Sequence, residues 1–393
     1  MSFQDFNFLG KKVLLRCDLN VPLDDQGNIL DDFRLQRALP TIFFLRKAGA
    51  IIILLSHLGE PQGIKNKRKR KKQLTLKPIG QRLSELLREK VLFSKKNKGR
   101  SVRRLIQKMK PGEILLLENL RFDQGEEQNS LKFAQQLARL GDVFVNEAFS
   151  VCHRAHASVA ALPQALPCLV GPELFKEFNF LSQILQKPPR PLVVIIGGNK
   201  TQSKLKVIKR FLDLADYLLL AGESANLVLA AKGLWPSHPL LPAEDMAMLQ
   251  DIKLTDPKIY LPLDVLVSSE PNGGGIIRQT GPAGARRDED IFDIGPETIS
   301  VYQEIIGQAQ TVFWAGPVGL FEVKAFSHGT RAIASAIAQS QAQLKLAGGG
   351  ETVAALRKFN LTDDFSFIST GGGAMLSFLA GEKLPGLEAL GLL

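Results

Sequence analysis

The chain has 393 residues, 45% of them apolar and 23% charged, enough for two or three cored domains and unlike collagen-like or low-complexity chains. No stretch reaches about 18 uncharged apolar residues, so no membrane span is expected, and MSFQDFNFLGKK at the start lacks the layout of a secretion signal. The net charge of +11 would suit a polyanion binder, but residues 60–110 hold 19 Lys/Arg against three Glu, a local +16, which leaves 11 − 16 = −5 for everything else.

In chain order, short apolar runs alternate with helical periodicity, the pattern of parallel α/β architecture. Lys12–Arg16, Ala50–Leu55, Glu113–Leu117 and Asp142–Asn146 read as buried strands, with helices at Leu35–Ala48, Leu76–Leu87 and Leu131–Leu140. Lys65–Lys72 (KNKRKRKK) reads as a solvated loop whose like charges repel, or as a weak, salt-sensitive and non-specific contact for nucleic acid. A proline-punctuated segment near residues 163–190 marks a boundary, and Glu173–Leu185 inside it reads as one stiff helix. Strands then recur at Pro191–Ile196, Tyr217–Ala221, Thr311–Trp314, Gln343–Ala347 and Phe365–Ser369. Helices are expected at Ser203–Leu214, Thr298–Gln308, Thr330–Gln341, Thr352–Phe359 and Ala374–Leu379.

Three strand–glycine–helix junctions stand out in the second half: Gly197-Gly198-Asn199-Lys200, Gly348-Gly349-Gly350-Glu351-Thr352 and Gly371-Gly372-Gly373-Ala374. Glycine after a strand lets backbone approach a ligand, and the following helix offers free N–H groups, so a phosphate-rich ligand is favoured. Neither a G-x-x-x-x-G-K-[ST] loop nor a G-x-G-x-x-G between strand and helix is present, which argues against a dinucleotide-dependent dehydrogenase. Lys200 and Lys204 are four apart and either face one ligand or lie on a solvated surface. Glu351 either complements a helix dipole or holds Mg²⁺ beside phosphates.

In the first half, Asp18 and Asn20 follow one strand, His57 and Gly59 another, Arg121 and Arg154 two more, and Arg34 follows a turn. Four cationic or imidazole groups, three of them after strands, together with the Asp/Asn pair, suggest a pocket for a small hydroxylated polyanion. Cys152 beside His153 and His156 lacks the further ligands of a zinc site. With Cys17 and Cys168 it forms no disulfide framework, so a reduced, cytoplasmic setting is expected.

These residues resemble phosphoglycerate kinases along essentially the whole chain. The resemblance is carried by KVLLRCDLNVP (12–22), SHLGEP (56–61), LLENLRF (116–122), NEAFSVCHRAHAS (146–158) and GGNKTQSK (197–204). It continues in LPLDVLV (261–267), DIGPET (293–298), WAGPVGLFEVKAF (314–326), GGGETVAAL (348–356) and residues 369–390. It implies two Rossmann-like domains with parallel sheets joined by a hinge helix. Residues 1–170 with the tail 380–393 would form the 3-phosphoglycerate domain, and 171–379 the nucleotide domain. The implied reaction is reversible phosphoryl transfer between 1,3-bisphosphoglycerate and Mg-ADP, giving 3-phosphoglycerate and ATP, by a cytoplasmic monomer.

Carried over onto this sequence, Asp18, Leu19, Asn20 and Arg34 would bind the glycerate end. His57, Leu58, Gly59, the residue at Glu60, Arg121 and Arg154 would bind its phosphate. Lys200 and Lys204 would contact the transferred group and the nucleotide phosphates. Glu322 would hold the ribose, Gly349, Gly350, Glu351 and Thr352 the phosphate tail, and Glu351 the Mg²⁺ that accompanies ATP/ADP. Arg34, Lys200, Lys204 and Gly372 would stabilise the transferring phosphoryl.

Four positions depart from the family pattern: Glu60 replaces arginine, Ser203 aspartate, Ala315 asparagine, and Glu351 aspartate. They motivate the alternative of a degenerate kinase retained as a binding module with a polyanion-binding loop. Glu60 would lower substrate affinity unless it points away, and Ser203 would leave Lys204 less firmly oriented.

Overall fold

A computed structural model of the chain describes residues 2–24, 26–199, 202–236 and 241–393. It divides into two units, Met1–Asn179 with Lys383–Leu393, and Phe180–Glu382. The division falls inside the helix Pro172–Gln186, a little beyond the boundary at 170/171 read from the sequence.

In the first unit, β1 (Lys12–Arg16), β2 (Ile51–Leu55), β3 (Val91–Phe93), β4 (Ile114–Leu116), β5 (Val143–Asn146) and β6 (Cys168–Val170) form one parallel sheet in the order β3-β4-β2-β1-β5-β6. Alternate residues serve opposite cores. Val13, Leu15, Ile52 and Leu54 pack in one cluster, and Leu14, Ile53, Leu55 and Phe144 in another. A sheet covered on both faces has no polar side to show, which is why these strands read as unbroken apolar runs. β3 and β6 were not legible, being three residues long and partly exposed.

The connection from β1 leads to β2 on one side, while β5 lies on the other. Such a reversal leaves space beyond the carboxyl ends of the strands, where ligands bind in open α/β sheets. The tail belongs to this unit, and its Gly386 N donates to Cys152 O at 2.9 Å.

The basic run is not a loop. Lys67–Gln73 is a helix because the Asn66 side chain accepts from Arg68 N (2.9 Å) and Lys69 N (3.1 Å), supplying an N-cap. Its last turn is Arg70, Lys71 and Lys72, which suits the negative end of the helix dipole. None of its residues is buried, so the charges remain hydrated.

In the second unit, β7 (Leu192–Ile196), β8 (Tyr217–Leu220) and β9 (Ile259–Tyr260) precede a separate antiparallel sheet made of β10 (Val265–Ser268), β11 (Arg278–Thr280) and β12 (Asp290–Ile294). The chain then adds β13 (Thr311–Ala315), β14 (Leu344–Gly348) and β15 (Phe367–Ser369) to the main sheet, whose parallel order is β15-β14-β13-β7-β8-β9. β7 and β13 are buried throughout and adjacent, yet the chain leaves β7 toward β8 on the opposite side. Their carboxyl ends are therefore the second switch point.

Candidate active site

At the carboxyl edge of the first sheet, Asp18 pairs with Arg34 at 2.8 Å and accepts the Ser150 hydroxyl at 2.5 Å. Arg34 also donates to Asn20 O (3.1 Å). The Asn20 side chain accepts Gly59 N at 2.8 Å, and Arg121 Nη1 donates to Gly59 O at 2.8 Å, so one polar chain links β1, β2 and β4. Leu19 and Leu58 contribute backbone: Leu19 N donates to Ser56 Oγ (3.0 Å), and Leu58 O accepts Asn119 Nδ2 (2.8 Å). The structure thus brings these residues together at one edge.

The electrostatics are strongly cationic. His57 is buried, and burial first, then Arg16, Arg121, Arg34 and Arg154, hold its imidazole well below the ordinary range, so it is neutral. His156 is pushed down to about 4 by burial and by Arg121 and Arg154. Burial also lowers the Arg121 pKa, with Glu60 opposing. Arg121 Nε and His156 Nδ1, both buried, make no hydrogen bond, and the nearest carboxylate to Arg121 Nε is Glu127 at 4.0 Å.

Glu60 does not point away. Its Oε1 lies 2.9 Å from Arg121 Nη1 and 3.2 Å from Arg154 Nη1, bridging the two guanidinium groups.

Behind the cluster lies a charge not singled out from the sequence. Arg16 is fully buried, donating to Ser158 Oγ (2.9 Å) and Cys17 O (2.7 Å). Ser158 in turn donates through its hydroxyl to Glu126 Oε1 (2.5 Å) and through its N–H to Oε2 (3.0 Å). Burial pushes Arg16 down and Glu126 up, and their mutual attraction opposes both shifts. The available signal was an arginine closing the apolar run Val13–Leu15 of a buried strand.

On the main sheet of the second unit, Gly372, Gly349, Gly316, Gly198 and Gly222 follow β15, β14, β13, β7 and β8 in spatial order, and all five have positive φ. Gly349, at φ +96°, and Gly372 are the N-caps of the helices Gly350–Lys358 and Gly373–Leu379. Gly316 is required for a second reason, since a Cβ there would collide with the backbone of Gly197 and Gly198. The sequence reading found three of these junctions; LLLA-Gly222 and WA-Gly316 carry the same strand-then-glycine signal.

A cavity of 330 Å³ opens beside this edge, lined among others by Gly198, Asn199, Gly222, Pro317, Glu322 and Glu351. Glu351 sits in the first turn of its helix and accepts Asn199 Nδ2 at 2.5 Å. Lys204 is buried and fixed by Gly197 O (2.7 Å) and Asn199 O (2.8 Å), so Ser203 does not leave it loosely held. Burial lowers its pKa and Glu351 opposes this. The Thr352 side chain is buried and accepts Gly316 N at 2.7 Å, tying two glycine turns together. Ala315 is buried on β13, its carbonyl accepting Gly197 N (2.9 Å). Lys200 lies outside the described residues.

The family model described as phosphoglycerate kinase matches residues 3–382. The phosphoglycerate kinase of Borrelia garinii subsp. bavariensis is 42% identical over 394 residues, covering 99% of this chain and 98% of that protein. That of Aquifex aeolicus is 40% identical over 400 residues with the same coverage. Among solved structures, phosphoglycerate kinase from Coxiella burnetii matches with a TM-score of 0.83 at 37% identity, over 100% of this chain and 98% of that one. The corresponding values for the Pyrococcus horikoshii OT3 enzyme are 0.86 and 32%, with the same coverage. The chain belongs to the phosphoglycerate kinase family.

Proposed function

We propose that the cationic edge of the first unit holds 3-phosphoglycerate or 1,3-bisphosphoglycerate, and that the glycine edge of the second holds ATP or ADP. The chain is a phosphoglycerate kinase, a glycolytic transferase that moves a phosphoryl group reversibly between 1,3-bisphosphoglycerate and ADP to give 3-phosphoglycerate and ATP. The observation that best supports the first assignment is Arg121, a buried guanidinium at the strand ends among Arg16, Arg34 and Arg154 and beside the buried His57.

In this reading Arg121, Arg154 and His57 take the substrate's phosphate. Asp18, Asn20 and Arg34 orient the glycerate end, with Leu19, Leu58 and Gly59 shaping the backbone around it. Phosphoryl transfer asks little covalent work of a protein and much positioning and charge neutralisation. In the direction of ATP use, a carboxylate oxygen of 3-phosphoglycerate bonds to the terminal phosphorus as the bond to ADP breaks, and the electron pair leaves on ADP. Lys204, held between two carbonyls, and Arg34 neutralise the moving group. Lys200 and the helix opening behind Gly372 are assigned to the same task.

Glu322 is assigned to the ribose, and Gly349, Gly350 and the Thr352 backbone to the phosphate tail. Mg²⁺ prefers hard oxygens, commonly one or two carboxylates with phosphate oxygens. Glu351 fits that donor set, standing at a glycine turn where phosphates can approach. Bound there, the ion would offset phosphate charge.

With substrates bound on separate units, transfer requires a conformational step that brings donor and acceptor together and excludes water. The helix Pro172–Gln186, which runs from one unit into the other, is the assigned hinge. Among the described residues no helix is long and apolar enough to cross a membrane. We assign the enzyme to the cytoplasm as a monomer because its substrates are dissolved metabolites and this chain supplies every assigned contact. Residues 65–72 are left with at most weak, non-specific attraction for nucleic acid. The degenerate-kinase alternative gains nothing from the geometry, since Arg34, Arg121, Arg154 and Lys204 all sit in built polar surroundings.

A coupled assay in both directions tests the reading. Turnover well above that of a Lys204→Ala variant is expected, and turnover no better than that variant would refute it.

A further inference from the structure

We propose that Glu60 is an internal occupant of the substrate-phosphate seat: its carboxylate holds the place between Arg121 and Arg154, and substrate must displace it. This rests on the assignment of Arg121 and Arg154 to the phosphate.

One carboxylate oxygen of Glu60 serves both guanidinium groups, at 2.9 and 3.2 Å. That is the arrangement a phosphate oxygen takes between two arginines. Arg121 needs such a partner, because its side chain is only 3% exposed and a buried cation without an anion is costly. The other nearby carboxylate, Glu127, is 4.0 Å from Arg121 Nε and accepts the Gln62 side chain.

The two sides of the contact differ in freedom. Arg121 is buried and tied to Gly59 O, whereas the Glu60 side chain is 58% exposed and can turn into water. Glu60 is therefore the group that leaves. A phosphate carries more charge and more acceptor oxygens than one carboxylate, so it wins the exchange, but each binding event must first break two ion pairs. The phosphate in question is not the group transferred, so the competition acts on binding and not on the chemical step. Glu60 thereby sets the working range of the enzyme for its phosphorylated three-carbon substrate.

The test is steady-state kinetics of Glu60→Gln, which keeps the shape and removes the charge. KM for 3-phosphoglycerate should fall roughly two- to fivefold, the range of an exposed ion pair. The inhibition constant of inorganic phosphate, used as a competitive probe, should fall with it. Both kcat and KM for Mg-ATP should hold. Arg154→Ala is run alongside, and its KM for 3-phosphoglycerate should rise about tenfold or more. An unchanged or higher KM in Glu60→Gln, with Arg154→Ala impaired, would overturn the proposal and leave the phosphate assignment standing. No effect of Arg154→Ala would overturn the assignment itself, and the proposal with it.

Discussion

A lysine taken out of water stays charged only if oxygens replace the water, and Lys204 has Gly197 O and Asn199 O for that purpose, with the Glu351 carboxylate nearby. Those contacts aim the ammonium before any ligand arrives, so its effect should appear in the chemical step. Lys204→Ala is expected to lower kcat by about 10² to 10³ while changing KM for either substrate much less; a loss confined to KM would assign Lys204 to ground-state binding. Glu351 carries the complementary expectation. Glu351→Ala should remove most of the Mg²⁺ dependence of ADP affinity, measured by titration with and without the ion. Persistence of the full dependence would move the ion's ligand elsewhere. Deeper in the first unit, Glu126→Ala would strand the buried Arg16 guanidinium, at a cost on the order of 3 kcal/mol in urea unfolding. A cost within experimental error would show that Arg16 is neutralised by other groups.

Among the elements, the start of the helix Pro172–Gln186 is tied to the end of β5 by one side chain. Glu147 accepts Glu173 N (2.9 Å), Leu174 N (3.0 Å) and the Thr41 hydroxyl. Burial nevertheless lifts its pKa to about 7, with those hydrogen bonds opposing. The native state thus keeps a proton that the unfolded chain releases near 4.5. Its contribution to stability is complete below the unfolded pKa and is lost as pH rises through about 7. Glu147→Gln removes this titration, and its amide can donate to Thr41 while its oxygen accepts the two N–H groups. Stability of the variant should fall less than that of the wild type between about pH 5 and pH 8, by up to about 3 kcal/mol. Identical pH profiles would contradict this account of Glu147.

The helix Lys67–Gln73 makes a second case at this scale. With no buried face, it depends on its cap, so Asn66→Ala should cost about 1 kcal/mol locally. Faster amide exchange confined to residues 67–73, with an unchanged melting temperature, is the expected signature. Lys65–Lys72 reads as a loop in the sequence because seven like charges dominate it. The deciding feature was the single Asn66 within it, whose capping role is not visible among so many cations.

At the scale of the whole molecule, the features legible in the sequence were those written in local pattern. Buried parallel strands such as IIILL at β2 and LVVII at β7 announce themselves as apolar runs, because both faces of their sheets are covered. The glycine junctions were legible because positive φ and close backbone approach restrict the residue that can stand there. The antiparallel sheet β11-β10-β12 was not legible: β11 reads RQT, without an apolar face, and the pairing joins segments whose partners are not specified by either strand alone. The same holds for side-chain partners across the fold. That Arg16 reaches Ser158, and that Glu60 turns onto Arg121 and Arg154, follows from sheet order and loop path, not from spacing.

The central claim is a division of labour, an anion seat on one unit for the three-carbon substrate and a glycine edge on the other for the nucleotide. Calorimetric titration of Arg154→Ala with 3-phosphoglycerate and with Mg-ADP, side by side with the wild type, tests it most directly. The account expects affinity for 3-phosphoglycerate to fall about tenfold or more while affinity for Mg-ADP holds; equal loss of both, or loss of neither, would contradict it.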